Sequence, residues 1–128
     1  MRRTKVLRHI FRFSGLLRSM KLALIGVMYL FLYHRNMRII FLTGLAAFLL
    51  GIYLKLSAME LAVLCITVTL VFVAEIFNTA IELLIDISVR KYHTLVKLIK
   101  DIAAAVVLIT SLNAVAVGYI LFFRKIFR

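Results

Sequence analysis

Three long apolar runs, Ile39 to Leu56, Leu61 to Ile87 and Ile102 to Phe123, fill most of the chain after residue 38. A helix needs roughly 20 largely apolar residues to cross about 30 Å of hydrocarbon, and each run meets that length, the first only marginally. An open strand in lipid would leave backbone N–H and C=O groups unpaired, so helices are the element these runs can form. With 65% hydrophobic residues, no Pro and a mean hydropathy of +1.09, the 128 residues cannot cover an ordinary soluble core with polar surface. The chain is predicted to be an all-α membrane protein of one domain.

A net charge of +12 would suggest a nucleic-acid partner in a soluble protein. The placement of the charge argues against nucleic acid and for a bilayer. Arg2, Arg3, Lys5, Arg8, Arg12, Arg18 and Lys21 crowd the first 21 positions, interleaved with Val6, Leu7, Ile10, Phe11, Phe13, Leu16 and Leu17. That pattern fits an amphipathic helix lying on an anionic membrane surface, apolar side down. The expected layout is a surface helix over about residues 2–32, a basic link with Arg35 and Arg38, and transmembrane helices near 37–56, 58–89 and 97–123. Around Lys55 to Glu60 the first two spans turn back as an antiparallel hairpin, and a wetter turn, Arg90 to Lys100, joins the second to the third. A cleavable signal peptide is not expected, because Leu22 to Tyr33 lacks a clear small-residue cleavage site.

Thirteen of the seventeen Lys and Arg fall on the N-terminal side of this layout; the other four are Lys55, Arg124, Lys125 and Arg128. By the positive-inside rule the N-terminus is cytoplasmic, in the cell's inner (plasma) membrane, with the basic tail a minor violation. Small residues in the third span, Ala103, Ala104, Ala105, Ala114, Ala116 and Gly118, suit close helix contact and point to a homo-oligomer. Cys65 is the sole cysteine, so neither a disulfide nor a cysteine metal set is available. Tyr29, Phe31, Tyr33 and Tyr119 read as lipid-facing or belt residues, Glu60 as an interfacial charge at the outer turn, and Asn113 as a buried helix-contact residue.

Only five acidic residues are present, and Glu75, Glu82 and Asp86 share the second span with Asn78. An ionisable group in hydrocarbon costs several kcal/mol unless it is paired or faces a polar site, so a cluster there marks function. The separations of three, four and four residues keep these side chains within about 80° of one another at 100° per residue. They form one stripe, about 16 Å long at ~1.5 Å per residue, comparable to an extended nucleoside triphosphate with its metal. Tyr92, His93, Lys100 and Asp101 can fold back against it. Carboxylates and an amide hold Mg²⁺, Lys neutralises phosphate oxygens, and a buried carboxylate takes a proton from a hydroxyl. The set suits phosphoryl transfer at the membrane surface.

The run Ala74-Glu75-Ile76-Phe77-Asn78-Thr79-Ala80-Ile81-Glu82-Leu83-Leu84-Ile85-Asp86, followed by Tyr92-His93 and by Lys100-Asp101-Ile102-Ala103-Ala104-Ala105-Val106-Val107-Leu108, resembles the signature of the prokaryotic diacylglycerol kinase and undecaprenol kinase family. The three-span layout and basic surface helix extend the likeness over most of the chain, and Gly26 and Arg35-Asn36-Met37-Arg38-Ile39 match family features before the first span. The resemblance implies a small, homotrimeric membrane kinase that moves the γ-phosphoryl of ATP, with Mg²⁺ as cofactor, to a membrane lipid alcohol, diacylglycerol or undecaprenol. It further implies Glu75 as general base and Glu82 as metal ligand. Asn78 and Asp86 would shape the nucleotide site, and Tyr92, His93, Lys100 and Asp101 would contact the nucleotide. Where the family commonly carries a second metal-binding glutamate, this chain has His34, and neutral imidazole is a poor ligand for hard Mg²⁺. Glu82 and the phosphates then hold the ion with extra water, another metal is used, or activity is reduced. The Arg35-Asn36 motif leans toward the undecaprenol branch. Two other readings stand beside the kinase: a small proton-coupled transporter using Glu75 and Glu82, and a catalytically weakened relative acting in membrane assembly.

Overall fold

A computed structural model describes residues 13–88 and 93–127. The described residues form four helices and no strand: α1 (Phe13–Tyr33), α2 (Arg35–Tyr53), α3 (Ala58–Ser88) and α4 (Thr94–Ile126). Every one is long and apolar enough to cross a membrane. The expected all-α membrane architecture is therefore present. Its basic arm, residues 2–12, lies outside the described residues, as do Arg90, Lys91 and Tyr92. The chain divides between Arg35 and Asn36 into two compact units, an N-terminal one holding α1 and a second holding nearly all of α2 with α3 and α4.

Within the N-terminal unit, Tyr29 lies with its ring 4.8 Å from Tyr33 and 6.0 Å from His34. This belt of rings closes the helix, and the His34 N–H still donates to the Leu30 carbonyl at 2.9 Å. Leu16, Leu17, Leu24 and Met28 are exposed, a surface that only lipid or another apolar body can solvate.

In the second unit α2 and α3 form the expected hairpin, and the turn between them is built from specific chemistry. Helix α2 ends in a Schellman motif: the Leu56 N–H reaches the Gly51 carbonyl at 2.9 Å and the Lys55 N–H reaches the Ile52 carbonyl at 3.0 Å. Lys55 supplies the left-handed residue, with φ at 55°, a conformation that glycine adopts more readily. Helix α3 then opens on a capping box, Ser57 Oγ accepting from the Glu60 N–H at 3.3 Å while Glu60 Oε2 accepts from the Ser57 N–H at 2.7 Å. Glu60, read from sequence as an interfacial charge, thus has a definite task. The carboxylate also lies 3.5 Å from Lys125 Nζ, which donates to the Lys55 carbonyl at 3.2 Å. The basic tail that runs against the charge rule places one of its cations on this turn.

Gly44 sets the approach of α2 to α3, because a Cβ there would come within 2.6 Å of a Val68 methyl. Phe41 and Phe72 meet edge to face further along, with centroids 6.4 Å apart. Helices α3 and α4 pack most extensively against each other, with Ala103 buried on α4. Close contact through small residues is how apolar helices associate where lipid already solvates them. Asn113 departs from expectation: it is exposed on this chain rather than buried.

Candidate functional site

Helix α3 has 31 residues and so runs about 46 Å, well beyond the ~30 Å of hydrocarbon. Measured from the capped turn at Ser57, roughly 20 residues fill the apolar layer, which brings Glu75 and Asn78 to its far boundary. Glu82 and Asp86 then stand at headgroup level. Exposure follows the same gradient: Glu75 is 4% exposed, Asn78 and Glu82 are half-buried, and Asp86 is open. A soluble helix shows the reverse, acids outside and leucines inside, whereas here Leu84 and Ile87 are exposed while Glu75 is covered.

Sequence spacing puts Glu75, Asn78, Glu82 and Asp86 on one face of α3, and the helix is unbroken through all four. Asn78 Nδ2 donates to Glu82 Oε1 at 3.4 Å, one turn on. Asn78 Oδ1 is buried and has no hydrogen-bond partner among the described residues. An orphaned buried carbonyl oxygen is rare and leaves room for a ligand other than the described residues. Beside a carboxylate it is a hard oxygen donor of the type that Mg²⁺ prefers, so these two side chains fit an oxygen-ligated cation. Among the described residues no three His, Cys, Asp or Glu side chains converge as a metal set. A cation held by these two side chains would need its remaining ligands from elsewhere.

Glu75 is the most enclosed of the acids, and neither of the ion pairs between described residues involves it. A carboxylate so placed is available as a proton acceptor rather than consumed by a structural partner. Thr79, four residues on and 2% exposed, lies on the same face. Thr79 follows Asn78 in the Ala74–Asp86 run with no role assigned to it from sequence, and its i+4 spacing from Glu75 is the signal that places it beside the acid.

Helix α4 brings Lys100 to the open end of the stripe, where its Nζ donates to Asp86 Oδ1 at 2.7 Å. The side chains retain 39% and 63% of their exposure, so the pair is solvated and can exchange for another anion. Asp101 follows one residue on and projects about 100° round the helix, exposed and off the Lys100 face. His93 serves α4 as its N-cap: in an extended conformation, its Nδ1 accepts from the Leu95 N–H at 3.3 Å. Its Nε2 is the nitrogen left for a ligand. Tyr92 is outside the described residues, and His34 belongs to the N-terminal unit.

The stripe therefore combines an enclosed carboxylate, an amide and carboxylate pair with a spare oxygen, and a cation held by a solvated partner. That combination can hold a metal-bound polyphosphate at headgroup level and take a proton from a group arriving from the apolar side.

Comparison with known proteins bears on this arrangement. The prokaryotic diacylglycerol kinase profile matches residues 21–122. Over 105 residues the chain is 43% identical to a diacylglycerol kinase of Synechocystis sp., an alignment taking in 81% of this chain and 60% of that relative. An undecaprenol kinase of Bacillus subtilis is 29% identical over 92 residues, 72% of this chain and 75% of the relative. The match thus spans about three fifths of the length of the Synechocystis protein.

Proposed function

Because the chain belongs to the prokaryotic diacylglycerol kinase family, we propose that it is a lipid kinase, transferring the γ-phosphoryl of ATP to a single hydroxyl of a membrane lipid alcohol. The observation that carries the reading is the enclosed Glu75 at the apolar end of a polar stripe whose other end is solvated. Both relatives are named as lipid-alcohol kinases, and the transporter alternative is set aside. Diacylglycerol and undecaprenol are the acceptors that those names suggest.

In this reading Glu75 takes the proton of the lipid hydroxyl as its oxygen forms the new bond to the γ-phosphorus; the bond to the β–γ bridging oxygen breaks and ADP leaves. Asn78 Oδ1 and Glu82 are the protein oxygens for Mg²⁺, which when bound neutralises charge on the phosphates. Lys100 exchanges Asp86 for a phosphate oxygen, so Asp86 acts as its resting partner. His93, Tyr92 and Asp101 would border the nucleotide from the α3–α4 turn. In the sequence His34 replaces the second metal-binding glutamate that the family commonly carries, so the extra coordination falls to water and phosphate.

The topology that fits has the stripe facing the cytoplasm, where ATP is, with α1 as a membrane-surface helix and α2, α3 and α4 as the spans. Arg18 and Lys21 near the start of α1 support that placement. A homo-oligomer, trimeric by resemblance, is supported by Asn113, a polar residue exposed about mid-membrane on α4, where lipid is a poor partner. The test of the activity is phosphate transfer from labelled ATP to diacylglycerol and to undecaprenol, side by side, by the purified chain in lipid. Incorporation into either with dependence on Glu75 supports the reading. No transfer to any lipid alcohol sinks it.

A further inference from the structure

Helices α2, α3 and α4 line an open cleft of about 300 Å³, with Gly44 and Ala47 on one wall, Leu64 and Val71 on the second, and Ala114 and Gly118 on the third. On α3 the residues lining it continue directly into the polar stripe. Leu64, Val68 and Val71 are followed at the same three- and four-residue spacing by Glu75, Asn78 and Glu82, so cleft and stripe are one face of one helix. On α4, Lys100 lies three turns before Ser111 and on the same face as that cleft residue. Glu75 stands one turn, about 6 Å, past the end of the cleft.

The lining is more apolar than its residue types suggest. Thr43 donates to the Ile39 carbonyl at 2.8 Å and Thr67 to the Val63 carbonyl at 2.8 Å, so both hydroxyls are satisfied by their own helices. Ser111 adds one hydroxyl to otherwise hydrocarbon walls. What singles out the occupant is the face the cleft shares with Glu75: a chain lying along it carries its end group to the acid, whereas a second copy's helix would insert side chains only. An apolar cavity of about 150 Å³ holds one benzene, so 300 Å³ takes on the order of ten to twelve carbons of a single chain.

We infer that this cleft is the binding site for one hydrocarbon chain of the lipid alcohol, threading the tail down the α3 face so that the hydroxyl is delivered to Glu75. The inference rests on the kinase reading for the identity of its ligand, and it narrows the acceptor to an alcohol with one chain held by protein while any second chain stays in lipid.

A long-chain alcohol carrying a diazirine about eight carbons from its hydroxyl is photolysed with the full chain in vesicles, and the labelled peptides are mapped. Labelling should concentrate on Val68, Val71 and Ala114. Ala114→Leu, and Ala47→Leu from the opposite wall, should each cut it at least fivefold and lower the ratio of kcat/KM for long- over short-chain alcohols about tenfold. Labels confined to lipid-facing positions such as Leu84 and Ile87 would overturn the inference. So would filled variants that label as wild type, or that change the oligomer's mass on light scattering while long and short alcohols are affected alike. Labelled cleft peptides without phosphate transfer would sink the kinase reading and leave the chain site standing; transfer with labels elsewhere would do the opposite.

Discussion

The two ends of the α3–α4 pair use the same residue types to different effect. At the capped turn, Glu60 accepts from the Ser57 N–H and lies beside Lys125, which in turn holds the Lys55 carbonyl. At the opposite end Asp86 binds Lys100, yet Glu75, Glu82 and the Asn78 amide keep oxygen capacity that no helix cap uses. A carboxylate committed to backbone amides closes a turn, whereas one left with spare lone pairs in a half-apolar setting is open to a ligand. Lys–acid pairing alone does not distinguish the two.

The contrast can be broken or sharpened by substitution. Glu75→Gln keeps the shape and removes the base, and should lower kcat by about 10²- to 10⁴-fold in the transfer assay while the helical circular dichroism is unchanged. Full activity in that variant would remove Glu75 from the chemistry. Glu82→Gln should raise the Mg²⁺ concentration giving half-maximal rate by roughly 10–100-fold, the range that outer-shell metal partners alone are worth. A flat metal titration in the variant and the wild type alike would move the cation elsewhere. Lys100→Met should weaken ATP, seen as a rise in KM of about tenfold, while Asp86→Asn, which only releases the lysine from a solvated pair, should change KM less than about fivefold. Equal effects from the two would mean that the ion pair itself is what matters. At the other end Ser57→Ala should cost about 1 kcal/mol of stability in a thermal or denaturant melt and leave kcat untouched. A loss of rate there would erase the division between the ends.

Much of this was legible from residues. The apolar runs demanded helices, and α3, running Ala58–Ser88, fell within a residue of its expected bounds because its start and its stripe are both written in spacing. The other bounds moved more. Helix α2 stopped at Tyr53 rather than 56, since the Schellman turn spends Leu54 to Leu56 on reversal, and α4 began at Thr94 rather than 97 because His93 caps it. Glu60 is the interfacial charge its position suggests and also the N3 partner of the capping box Ser57-x-x-Glu60, while Asn113 is exposed on the single chain. A single polar residue in an apolar run has several homes, and which one it takes depends on neighbours distant in sequence.

What the sequence determined by itself was the helical class, the membrane setting and the shared face of Glu75, Asn78, Glu82 and Asp86, because each follows from a local period that any helix must obey. Only the tertiary structure decided that Lys100 closes on Asp86, that Lys125 returns to the Lys55 turn, and that the face bearing the acids continues into a cleft between three helices. Those facts depend on how far helices approach and at what rotation, which is set by the small residues between them, such as Gly44 against Val68, and not by the period of any one helix.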